Sequence, residues 1–143
     1  MHRRRVLVLV LAVVAIGAAT GGCRGGESAS SMQSVSVTFQ PGLCDGHDPR
    51  CAVSTLSLTP DGLLHGMLGG VRTERRVDAG AAAQIFRLGA EAFDATDCGP
   101  IRPDAVSFAV VLIGSARSRS FSGTDDGCPP PVSEIARRLD ALR

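Results

Sequence analysis

The stretch "DAVSFAVVLI", residues 104–113, decides how this chain folds. Val106, Phe108, Val110 and Leu112 alternate on one side, while Ala109, Val111 and Ile113 make much of the other side apolar too. A run apolar on both faces predicts an interior strand. Residues 114–117 turn the chain. "RSRSFSG" then sets Arg117, Arg119 and Phe121 in alternation with serines, which suits a solvated edge strand. The two runs make a hairpin with Cys98 before it and Cys128 after it. If the hairpin turns near Ser115, both cysteines fall at its open end.

Helices are expected on either side of this hairpin. Upstream, Asp78 can cap a helix whose body is "AGAAAQIFRLGAEAF". Ala82, Phe86, Ala90 and Phe93, with Ile85 and Gly89 beside them, form one buried stripe. Gly89 costs about 1 kcal/mol of helix propensity relative to Ala and would allow close packing on a sheet. Downstream, Pro129, Pro130 and Pro131 stop the strand and prepare "VSEIARRLDALR". Its stripe is Val132, Ile135, Ala136, Leu139 and Leu142.

Further upstream, "SVSVTF" alternates Val35, Val37 and Phe39 with Ser34, Ser36 and Thr38, marking a half-buried strand. "AVSTLSLTPDGLLHGML" reads as a hairpin around Thr59-Pro60-Asp61-Gly62, with Leu56 and Leu58 inward and Leu64 and Leu68 continuing that face. "VRTERRV" is a further, charged strand. The order predicts an α+β fold: a mostly antiparallel sheet of about five strands with two helices packed on one face, stapled by disulfides. His65, beside Leu63 and Met67, is expected to be partly buried or edge-exposed.

The first residues place the chain in a compartment. Arg3, Arg4 and Arg5 precede an apolar run over residues 6–19, and Thr20-Gly21-Gly22 leads to Cys23. The run is too short for a membrane span of about 20 residues and has the layout of a signal peptide. It resembles a bacterial lipoprotein signal, in which a small residue precedes a cysteine that becomes lipidated and N-terminal. Thr20 stands where that signal usually carries Leu. The expected organisation is a signal over residues 1–22, a Gly/Ser-rich tether over 23–33 with lipid on Cys23, and a single domain over 34–143.

Removing residues 1–22 from the 143 leaves 121, enough for a modest core. The signal takes three of the 15 basic residues and no acids, leaving 12 Arg against 14 Asp and Glu. Such a chain carries no basic footprint for nucleic acid. Trp and Tyr are absent and five Phe are the only aromatics, so aromatic platforms for bases or sugars are not expected. No G-x-S-x-G elbow or phosphate-cradling glycine motif occurs. Asp94, Asp97, Asp125 and Asp126 fall in loops. The expectation is no enzyme activity and no cofactor.

Cys44, Cys51, Cys98 and Cys128 remain after Cys23 is reserved for lipid. In an exported chain an even set is read first as disulfides, and four cysteines allow three connectivities. Cys44–Cys51 with Cys98–Cys128 is preferred: the first closes a loop with Gly46 and Pro49, and the second clamps the hairpin. Chain entropy values these loops at about 2.4 and 3.6 kcal/mol. "LCDGHDPRC" also offers Cys44, His47 and Cys51 as metal ligands, with Asp45 or Asp48 as a fourth. No second Cys/His cluster exists and the compartment oxidises thiols, so no metal is expected.

From Gln40 onward the chain resembles a family of small exported bacterial domains, commonly lipoproteins, with no assigned function. "GLCDGHDPRC", "LSLTPDGLLHGML" and "PPPVSEIARRLDAL" carry the resemblance. It implies no catalytic residues. A weaker likeness is to the bacterial subtilisin-inhibitor family, which also sets a cysteine pair around a β-hairpin at similar spacing.

The expected function is that of a lipid-anchored envelope domain, facing the periplasm or exterior, that contacts an envelope protein or ligand without catalysis. The rival is an inhibitor of secreted serine proteases using a disulfide-constrained loop. Asp45, His47, Asp48 and Arg50 would present that loop, with Arg50 able to fill a basic-specific pocket.

Overall fold

The computed structural model describes residues 26–42 and 51–143. A 3-10 turn (Ala29–Ser31) leads into β1 (Met32–Gln40), β2 (Ser54–Leu58), β3 (Leu63–Leu68) and β4 (Val71–Arg76). Then come α1 (Ala79–Ala92), β5 (Ser107–Gly114), β6 (Ser118–Thr124) and α2 (Pro130–Asp140). The strands form one sheet in the order β4-β3-β2-β1-β5-β6, and every pairing is antiparallel. Among the described residues the fold is α+β with six strands rather than about five; the charged run read as a further strand is the edge strand β4.

Register shows why one face is core. Val35 lies between Leu58 and Leu112, and Val37 between Leu56 and Val110; Leu64 and Phe121 extend these rows on either side. All are buried, as are Ile85 and Phe86 of α1 and Val132, Ile135 and Leu139 of α2. The opposite face carries Ser34, Ser36, Thr38, Thr55, Ser57, Ser118, Ser120 and Ser122. There Ser36 donates to Ser57 at 2.9 Å, and the Thr38 and Thr55 hydroxyls pair at 3.1 Å. Val111 and Ile113 lie on this open face, so β5 is an interior strand covered on one side only.

Both helices cross the strands. Asp78 accepts from the Gly80 and Ala81 amides and starts α1, as expected. A Cβ on Gly89 would stand 3.0 Å from Met32 and 3.3 Å from Val35, so the missing side chain sets how closely α1 lies on β1. Ala92, not Ala90, completes the buried stripe. Helix α2 starts at the β6 edge and ends where Arg143 donates to Ser54 of β2 at 2.7 Å.

Three further expectations change. A bulge at Gln33 shifts the β1–β5 register, which turns both Met32 and Val35 inward. The tether expected to reach residue 33 therefore ends earlier: Met32 is core. Glu27, with 6% of its side chain exposed, accepts from Ser31 at 2.7 Å and the Ser115 amide at 3.1 Å, and pairs with Arg117. Leu68, expected inward, is 50% exposed, because neither helix extends over that end of the β3–β4 hairpin. Val106 precedes β5 and is 62% exposed; the opposite position is Pro41, which has no N–H to continue the ladder.

Candidate interaction site

The sheet has two unlike ends. The start of β1 is at one end, together with the β2–β3 and β5–β6 turns. The other end holds the exit from β1, the entry to β2, the β3–β4 turn, the entry to β5 and the exit from β6. Cys98 and Cys128 are at this second end, joined by a disulfide as expected. Gly123 of β6 lies against it: a Cβ there would fall 2.6 Å from Cys128 Sγ and 2.7 Å from Cys98 Cβ.

The disulfide fixes one end of a loop over residues 99–106. The Gly99 amide donates to the Gly127 carbonyl at 2.7 Å, adding a second tie across the same gap. Arg102 forms an ion pair with Asp126, whose other oxygen accepts from the Thr124 hydroxyl at 2.8 Å. That hydroxyl and the Arg102 guanidinium hold the Asp126 carboxyl below its ordinary value. The Ala105 amide closes a turn on Arg102 O at 3.2 Å. Behind the loop, Gly42 approaches so closely that a Cβ would meet the carbonyl oxygens of Asp104 and Ala105 at about 3 Å.

The loop is thus tied at its start and middle and backed closely by Gly42 at its end, yet most of its side chains face water. Ile101 is 51% exposed and Val106 62%. Val53, Leu68 and Val71 are also exposed at this end of the sheet. Beside the loop, Phe39, Pro41, Val106 and Phe108 line an apolar recess of about 340 Å³ rimmed by Arg137 and Arg143. Arg143 lies 4.6 Å over the Phe39 ring and binds Asp140 at 2.8 Å.

The expected site residues divide. Cys98 and Cys128 meet as read, and Cys51 is disulfide-bonded. Cys23, Cys44, Asp45, His47, Asp48 and Arg50 lie outside the described residues, as do the lipid and the Cys44–Cys51 pairing assigned to them. His65 is exposed on the open face, 3.3 Å from Glu74. The loop at 99–106 was missed, although "CGPIRPD" carries a signal: two prolines bracket Ile101 and Arg102 immediately after a bridged cysteine. Among the described residues, no helix is long and apolar enough to cross a membrane. No family model matches this chain, and no curated relative matches it.

Proposed function

We propose that the protein is a non-enzymatic interaction module of the cell envelope, held by lipid on Cys23, and that residues 99–106 are its contact loop. The observation that carries this is a loop tied at its start by a disulfide and in its middle by an ion pair, with Gly42 close behind its end, while it exposes Ile101 and Val106. Ordering a loop on binding costs about 0.5–1.5 kcal/mol per immobilised side chain. A loop fixed in advance avoids much of that cost, and exposed aliphatic groups supply the burial. In-cell photo-crosslinking tests this. A photoreactive residue at Ile101 is expected to capture a defined envelope or secreted protein, whereas one at Ser120 on the open face captures none. Capture from Ser120 alone sinks the assignment.

A second reading, inhibition of secreted serine proteases, is supported by Pro100 and Pro103. Proline fixes its own φ and drives the preceding residue toward extended backbone, the form a protease cleft accepts. The weaker likeness to subtilisin inhibitors agrees with this reading. Trypsin-like and subtilisin-like enzymes titrated with excess protein are its test. Stoichiometric inhibition lost in Ile101→Gly supports it, and full activity of every enzyme removes it.

A further inference from the structure

The β4 edge combines two features that occur together nowhere else among the described residues. Its side chains are all exposed, and among the described residues it has no neighbour beyond it in the sheet. It also holds unpaired positive charge. Arg76 donates to Asp61 O, and Arg87, Arg102, Arg117, Arg119, Arg137, Arg138 and Arg143 all have a carboxylate partner. Arg72 and Arg75 have no such partner among the described residues. Glu74, the one acid on the strand, faces His65 at 3.3 Å.

The hairpin geometry determines which backbone groups face outward. Gly69 and Gly70 take φ of 53° and 84°, giving a two-residue turn whose flanking residues, Leu68 and Val71, are paired. Pairs that exchange hydrogen bonds alternate with pairs that do not. Val77, on the same parity as Val71, Thr73 and Arg75, donates to Gly62 O at 2.8 Å. The amides and carbonyls of Arg72, Glu74 and Arg76 therefore point away from β3. The edge has no proline, and its pairing with β3 is unbroken over six residues.

Edge strands often carry charge to prevent association. Here the charge is selective. A second β4 strand paired about Glu74 would set Arg72 against Arg76 and Glu74 against Glu74, which is unfavourable, whereas an acidic strand would meet complementary charge. We infer that β4 accepts an extended acidic segment of another polypeptide as a seventh strand. The backbone of Arg72, Glu74 and Arg76 would form the ladder. Acids would oppose Arg72 and Arg75, and an apolar residue would cover Val71.

The probe is a Val/Glu peptide whose two glutamates stand three residues apart, so that they can oppose Arg72 and Arg75 together, added to the full chain as purified from cells. Its controls are the Val/Lys peptide and a Val/Glu peptide with a central proline. The Val/Glu peptide is expected to bind about tenfold more tightly than the Val/Lys peptide, to weaken as salt rises, and to slow hydrogen exchange at the Arg72, Glu74 and Arg76 amides. The R72E/R75E variant, with unchanged thermal stability, is expected to reverse the preference. Equal binding of the three peptides, or binding without protection of those amides, overturns the proposal. So does a concentration-dependent dimer that protects the same amides without peptide. Binding to anionic lipid vesicles that R72E/R75E abolishes, with no peptide bound, equally overturns it.

Discussion

At the residue scale, the contact loop depends on two positions that play no part in any core stripe. Gly123 is required because the bridge occupies the space a side chain would take. Both crowding atoms belong to a clamped disulfide and cannot swing aside. Gly123→Ala is expected to destabilise the protein by about 1–3 kcal/mol, as overpacking does, with urea denaturation as the measurement. Asp126 braces Arg102 through its charge, and its carboxyl is held below 3.8 by Thr124 and then by Arg102. A lowered folded-state value means that the bracing is complete above the unfolded value and is lost as pH falls through the folded one. A carbon-13 titration of Asp126 should therefore show a midpoint below 3.8. Amide exchange at Ile101 and Arg102 should rise across that transition and, in Asp126→Asn, be raised already at neutral pH. A midpoint at or above 3.8, or an exchange rate indifferent to the Asp126→Asn substitution, would remove Asp126 as a brace.

At the element scale, the disulfide joins the loop after α1 to the loop before α2 and spans 30 residues of sequence. Closing a chain of that length is worth about 3.6 kcal/mol. Cys98→Ser with Cys128→Ser is expected to lower Tm by on the order of 10–15 °C. Crosslinking through Ile101 should fall even at temperatures where the double variant remains folded. What the sequence revealed and concealed follows the same division. Serine–valine alternation made β1 legible, Pro60-Asp61-Gly62 made the β2–β3 hairpin legible, and Asp78 and the prolines marked the helix starts. These are local signals. Leu68 and Val106 continue apolar alternations, and only the reach of the helices and the lack of an N–H on Pro41 show that they face water. Met32 was hidden by a bulge, which breaks the period that would reveal it. The contact loop has no period at all; three-dimensional ties define it.

At the scale of the whole molecule, the position of the anchor and that of the contact loop are linked. Chain entry at Met32 and the Glu27 ties to Ser115 and Arg117 lie at one end of β1; residues 99–106 lie at the other. The nine residues of β1 span about 30 Å at about 3.4 Å each. Between Cys23 and the first tie at Glu27 there is chain for at most about 14 Å, however it is arranged. If Cys23 carries lipid, the turn containing Ala116 must stay close to the bilayer. The contact loop, the β3–β4 tip and the apolar recess then face away from it, where a partner in the surrounding space can approach without meeting the headgroups. The short reach also limits how far the domain can topple before the exposed Arg117 end meets the surface. Fluorophores at Ala116 and at Ile101, in lipidated protein on vesicles containing a headgroup quencher, measure this directly. Ala116 is expected to be strongly quenched and Ile101 nearly unaffected. Equal quenching of the two, in protein shown by mass to carry the lipid, would mean that the domain lies flat and that its contact loop is not presented outward.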